Sequence, residues 1–175
     1  MRKIGQIFKF LIPVIALVAL VVFMTGAGRR ERARLEKNKA IVMREEEELW
    51  RKQNWDVADE IVASDYVRHV ADLPEDLHGR EALKEYITGV LTLMPDFDST
   101  VEFRIAEGDK VAVRYRNTGT HTGTAWGIPP SGNKVNFIAH VTRRIVDGKV
   151  VEAWEVADSL TRSQQMGFKL VPAGE

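Results

Sequence analysis

The chain of 175 residues contains no cysteine. That excludes disulfide frameworks, cysteine-based zinc sites and thiol nucleophiles. An excess of charge of one sign is also missing, because Lys plus Arg and Asp plus Glu both number 25. Nucleic-acid binding needs a basic surface that displaces counterions, and this balance gives it no support. Histidine is scarce. The four that occur, His69, His78, His121 and His140, stand far apart. None forms a His-x-x-x-His or His-Glu-x-x-His pair, so no metal site is expected. No internal repeat or low-complexity tract interrupts the chain.

Against these absences stands one long apolar run. Residues 10–24 (FLIPVIALVALVVFM) are apolar without a break. With residues 4–9 and 25–28 the run approaches the ~20 residues that a bilayer-spanning helix requires. It reads either as a cleaved signal segment, with Thr25-Gly26-Ala27 as a small-residue site, or as an uncleaved single-pass anchor. Arg29, Arg30, Arg32 and Arg34 follow at once and disfavour translocation of that flank. An anchor over 1–28 is therefore the expectation, with the following domain leaning to the cytoplasmic side; the short basic N-terminus argues the other way. Residues 29–49 are charged and free of Gly and Pro. Leu35, Val42 and Leu49 recur at heptad spacing, which fits a solvated helical stalk or a short coiled coil.

The domain proper is expected over 50–170, with a tail over 171–175. Its pattern is helices first, then strands. The stalk helix continues over 45–53, and a short helix over 57–63 follows with Asp56 as its N-cap. Residues 65–70 lead to a loop with Pro74. Gly79 opens an amphipathic helix with Leu83, Tyr86, Ile87, Val90, Leu91 and Met94 on one stripe, ended by Pro95. Strand patterns cover 99–106, 110–118, 135–146 and 149–157. Asp147-Gly148 joins the last two and is the strongest hairpin signal in the chain. A short helix over 159–167 closes the domain. This order predicts an α+β fold, a curved antiparallel sheet with helices on one face forming a cone. Such a cone leaves an apolar pocket as the default ligand site.

Several words now align in order. They are Asp65-Tyr66-Val67-Arg68-His69, His78-Gly79-Arg80-Glu81, Met94-Pro95-Asp96 and Glu107-Gly108-Asp109-Lys110-Val111. Gly119-Thr120-His121-Thr122-Gly123, Gly127-Ile128-Pro129-Pro130-Ser131-Gly132 and Asp147-Gly148-Lys149-Val150-Val151-Glu152 follow. Trp154, Asp158 and Gln165-Met166-Gly167 are the last. From about Trp50 to Phe168 the chain resembles the SnoaL-like polyketide cyclase (ester cyclase) family of the nuclear transport factor two-like superfamily. The resemblance implies ring closure by intramolecular aldol condensation with no metal or organic cofactor. It further implies a carboxylate acid/base near the end of the sheet, a helping histidine and a homodimer. The implied ligand is an apolar, carbonyl-containing small molecule. The other reading is a membrane-tethered module that binds a ligand or assembles a complex without chemistry.

Asp158 is the first candidate for the acid/base. It shares strand parity with Glu152, Trp154 and Val156, and an apolar wall would raise its pKa. Its other reading is the N-cap of the last helix. His121 would protonate an oxyanion, or else pin the Pro-Pro loop. His140 lies mid-strand and faces either the cavity or the outer sheet face. His69, Tyr66, Trp126, Trp154 and Tyr86 are the candidate substrate-binding residues, the tryptophans because a flat ligand stacks on them. Glu155 has the opposite parity from Asp158 and reads as a solvated strand carboxylate unless a bulge intervenes. Arg114 and Arg116 read as an outward charged face. The loop 127–132 is no phosphate cradle, since no helix follows it and proline lacks a backbone donor.

Overall fold

The computed structural model describes residues 26–169 and 171. The anchor expected over 1–28 thus lies almost wholly outside the described residues, and so does most of the tail. Among the described residues no helix is long and apolar enough to cross a membrane. The chain divides into two compact units, Met1–Lys37 and Asn38–Glu175. In the first, the described residues are helical and mostly exposed.

The second unit begins earlier than the sequence pattern implies. Helix α1 covers 26–45, and a single π-helical stretch, Glu46–Arg51, follows it. Val42 and Leu49 are fully buried in the main core. Two of the three heptad positions therefore belong to this domain's own interior, which takes in the second half of the expected stalk. The short helix expected over 57–63 is smaller. A 3-10 turn, Trp55–Val57, leads into α2, Ala58–Ile61, whose N-cap is Val57 and not Asp56. From Val62 the backbone is already extended, forming β1 (Val62–Val70). The alternation of buried Tyr66, Arg68 and Val70 gives that strand one inward face.

A two-residue strand β2 (Leu77–His78) and helix α3 (Gly79–Leu93) come next. Leu83 and Ile87 carry the apolar stripe of α3 into the core. Four long strands follow: β3 (Asp98–Glu107), β4 (Lys110–Thr120), β5 (Lys134–Val146) and β6 (Lys149–Ala157). Helix α4 (Ser159–Gln165) is the last element. The β5–β6 hairpin turns on Asp147 and Gly148, both at positive φ, 49° and 81°. Two successive left-handed residues match the twist of the flanking strands.

The six strands lie in the order β2-β1-β6-β5-β4-β3. The sheet is mixed rather than antiparallel, because β1 runs parallel to β6. The meander pattern of β3–β6 gives no sign of this. The parallel contact forms only when the first strand returns beside the last. Irregular register in the β1–β6, β3–β4 and β5–β6 pairs bends the sheet.

Arg143 and Glu45 are buried together beneath this sheet. Arg143 Nε donates to Glu45, and its Nη1 donates to the Tyr115 hydroxyl at 2.8 Å. Burial opposes the guanidinium charge, but the Glu45 carboxylate outweighs it and holds the Arg143 pKa above the ordinary value. Removing one partner of such a pair leaves an uncompensated interior charge. Glu45→Ala is therefore expected to destabilise the domain by about 3–5 kcal/mol in urea unfolding. Glu47→Ala, at an exposed position of the same segment, should change it by less than about 1 kcal/mol. Equal small effects would show that the segment before residue 50 does not belong to the core.

Candidate active site

Two adjoining cavities open on the inner face of the sheet. The first, about 410 Å³, lies between α3, α4 and the sheet. Val90, Leu93, Met94, Phe137 and Met166 make its wall mainly apolar. The second, about 510 Å³, lies toward the π-helical stretch and the β3–β4 edge, with Trp50, Arg68 and Tyr115 in its wall. Phe97, Asn117 and Glu155 line both. A carboxylate therefore stands where the two chambers meet.

Glu155 comes from β6 and is 9% exposed. Its Oε2 accepts from Arg68 Nε at 3.0 Å and from Arg68 Nη2 at 2.6 Å. Its Oε1 accepts from the Tyr86 hydroxyl at 3.2 Å. Arg68, on β1, is 1% exposed. Its guanidinium carbon lies 5.4 Å from the Tyr86 ring centre and 5.8 Å from that of Trp50. Aromatic faces and one carboxylate thus surround the cation where water would otherwise sit. Burial opposes the Arg68 charge, and Glu155 more than offsets this, leaving the pKa well above the usual guanidinium value. Burial first, then the negative charge of Glu155, pushes the Tyr86 phenol far up. Tyr86 therefore stays protonated and acts as a donor.

Two devices close the first chamber. Asp72, just beyond β1, accepts from Ser159 Oγ at 2.8 Å and from Arg162 Nη2 at 2.5 Å, which ties α4 down. Partial burial works to raise the Asp72 pKa; the Ser159 hydrogen bond and the Arg162 charge outweigh it and hold the carboxyl below its usual range. On the other side, Trp126 sits in the β4–β5 loop at φ 50°, 57% exposed. Its ring stacks on Tyr86, with centres 6.2 Å apart and planes at 27°. It can lie there because α3 carries glycine at position 89. A Cβ on Gly89 would stand 2.1 Å from Trp126 Cζ2.

Of the expected site residues, Tyr86 and Trp126 line the first chamber. The others lie elsewhere. Asp158 is exposed at the N-cap of α4, its carboxylate accepting from Thr161 N at 3.0 Å. That hydrogen bond lowers its pKa, opposite to the rise expected from an apolar wall. His121 is fully buried at the base of the β4–β5 loop. Its backbone bonds Asn133 and Gly132, and its Nδ1 lies 3.1 Å from Ser131 Oγ. It is the pin of the loop and lines neither chamber. His140 is exposed on the outer face, 2.7 Å from Arg114 Nη1. Arg114 and Arg116 both pair there with Glu102, as an outward charged face would. His69 stacks on Trp154 and contacts Asp76 and Glu152, away from either chamber. Tyr66 is a core residue whose hydroxyl accepts from Arg68 Nη1 at 3.3 Å.

One irregularity explains much of this. Arg144 pairs with Glu152 while Ile145 pairs with Val150, so Val151 is an extra residue in β6. The bulge reverses the inward face. Val150 is buried before it, and Ala153 and Glu155 are buried after it. Without it, Glu152, Trp154, Val156 and Asp158 would have continued the parity of Val150. Glu155, read from the sequence as a solvated carboxylate, is instead the buried one. The signal available in the sequence was Arg68 inside a strand whose neighbours Tyr66 and Val70 are inward.

Replacing Gly89 with Ala tests how Trp126 is seated. The added methyl should displace the indole from Tyr86 and weaken the pair's near-ultraviolet circular dichroism. Stability should change little, since alanine favours an α-helix by about 1 kcal/mol. An unchanged near-ultraviolet spectrum would show that the ring does not rest on Gly89.

The model of the SnoaL-like polyketide cyclase family matches residues 40–166. A comparison with curated proteins returns no match. Among solved structures, a proposed SnoaL-like polyketide cyclase from Jannaschia sp. CCS1 shares the fold at a TM-score of 0.68. It is 24% identical, covering 77% of this chain and 94% of that one. IdmH of Streptomyces antibioticus, a proposed polyketide cyclase, is 26% identical over 75% of this chain and 99% of its own, with a TM-score of 0.62. AclR of Streptomyces galilaeus, a proposed hydroxylase, is 28% identical over 79% and 87%, with a TM-score of 0.65. With a match that spans most of the length and the fold its members adopt, the chain belongs to the SnoaL-like polyketide cyclase family.

Proposed function

We propose that the protein is an acid/base catalyst of the cyclase type, acting on an uncharged carbonyl compound with Glu155 as the base. Family membership and the cyclase assignment of IdmH support the reaction class. The observation that carries the reading is the place of Glu155. It is the carboxylate common to both chambers, and Arg68 and Tyr86 fix its two oxygens.

In the proposed step, Glu155 takes a proton from the carbon next to a ligand carbonyl. The electron pair of that C–H bond moves onto the carbonyl oxygen as an enolate. The enolate carbon then attacks a second carbonyl carbon of the same molecule, forming the carbon–carbon bond. The resulting alkoxide recovers the proton from Glu155. In an isomerisation the proton returns to a different carbon instead. The negative charge passes from Glu155 to the ligand and back, so the buried Arg68 cation is opposed throughout. The neutral Tyr86 hydroxyl, a donor to Glu155 at rest, is free to follow the charge to the ligand oxygen.

The reaction can be tested on a simple ketone. With 1-tetralone in D₂O, the protein should catalyse deuterium incorporation at C2, read by mass spectrometry. Glu155→Gln is expected to lower that rate by about 10²–10⁴-fold, the range for losing a general base. Tyr86→Phe, which leaves the carboxylate in place, should lower it less. Asp158→Asn should leave both rate and stability near the parent values, because Asn caps a helix about as well as Asp. Undiminished exchange in folded Glu155→Gln, or its loss in Asp158→Asn, would remove Glu155 from the proposed role.

A further inference from the structure

Asn117 is the second polar group at the junction of the chambers. It projects from the inner face of β4 and is 6% exposed. Its Oδ1 accepts from Ser99 Oγ, on the facing strand β3, at 2.7 Å. Its amide nitrogen makes no hydrogen bond among the described residues. That nitrogen is not among the fully enclosed polar atoms of the described residues, so an acceptor placed in the chamber can reach it. The Ser99 hydroxyl holds one end of the amide, so the unmet end is held in place as well.

The charges nearby narrow what would meet it. The second chamber is lined by three carboxylates, Glu46, Asp98 and Glu155, and two guanidiniums, Arg51 and Arg68. Arg68 is paired with Glu155, and Arg51 lies 3.9 Å from Asp98. Glu46 is met by Arg104. A ligand carboxylate entering here would find every cation of the wall already paired. An uncharged carbonyl oxygen accepts from an amide and needs no counter-ion.

We propose that Asn117 is the donor that binds the ligand's carbonyl oxygen, and that Ser99 is a positioning residue that orients its amide. The ligand then spans both chambers, its carbonyl at Asn117 and its α-carbon beside Glu155. This rests on the proposed function only in taking the ligand to be an uncharged carbonyl compound. When the enolate forms, the same donor meets the oxygen that gains charge.

The test uses the full-length ¹⁵N-labelled chain, kept dispersed in a mild detergent, and follows the side-chain amide resonances. The Asn117 pair is identified by its loss in Asn117→Leu. Titration with 1-tetralone should shift that pair in a saturable way. Tetralin, the same frame without the oxygen, should not shift it, and 1-naphthoate should bind more weakly than the ketone. Ser99→Ala should weaken tetralone binding about three- to tenfold, the worth of one hydrogen bond, and leave tetralin binding unchanged; Ser99→Thr should restore it. Equal shifts with tetralin and tetralone, tighter binding of 1-naphthoate, or a Ser99→Ala effect shared by tetralin would each overturn the assignment. The amide shift without deuterium exchange at C2 would support this proposal and sink the role of Glu155. Exchange without the amide shift would overturn this proposal and leave that of Glu155 standing.

Discussion

A carboxylate in the middle of an apolar cone needs a cation at hand, and here the cation comes from a neighbouring strand. Arg68 on β1 and Glu155 on β6 meet across the parallel strand pair of the sheet. Transferring either charge alone from water to the interior would cost several kcal/mol. The pair thus demands the register in which Val70 lies beside Glu155 and Arg68 beside Ala153. A slip of one residue would turn one partner outward and strand the other. What fixes the strand pairing also delivers the carboxylate to the cavity junction, so the geometry of the site and the closure of the sheet are one constraint.

Much of the architecture was legible in the chain because it rests on local rules. The stripe on α3, the Asp147-Gly148 turn and the alternation of Val111, Val113 and Tyr115 each follow from periodicity or from a backbone conformation few residues adopt. The site was less legible for a specific reason. Strand parity extrapolates only until a bulge, and Val151 carries no residue type that marks one. One extra residue sent Asp158 and Trp154 away from the chambers and Glu155 into them. His121 shows a different limit. Its Gly-Thr-His word lies at the buried foot of a loop, a placement outside both chambers that the spacing of the residues does not reveal. Glu45 shows a third, since a carboxylate in a charged helix looks solvated until the fold supplies Arg143.

The two chambers are bounded by parts of different kinds. The sheet wall holds Glu155, Asn117 and Phe137 on long paired strands. The opposite wall is α3, and over its mouth lie the Trp126 loop and α4. Those covers are held from several sides: Trp126 stacks on Tyr86, Asp72 accepts from Ser159 and Arg162, Gln165 accepts from Asn136 N, and Met166 is buried beside Phe137. The proposed base, Glu155, benefits from its place on paired strands, because proton transfer needs fixed distances. His121 anchors the base of the Trp126 loop while its tip stays exposed, and that combination lets the loop vary without disturbing the sheet.

The same electrostatic logic runs through the chemistry. An isolated buried base would gain or lose a whole charge in each cycle, and the interior would meet that change with little solvent response. In the proposed reaction no such change occurs. Arg68 remains cationic, and the single negative charge moves from Glu155 onto the ligand oxygen and back. Tyr86, whose phenol burial keeps protonated, and the Asn117 amide supply neutral donors that lower the energy of the displaced charge without adding one of their own. An arginine that looks like an expensive way to stabilise a small domain is, on this view, what makes the carboxylate's proton traffic tolerable in an apolar chamber.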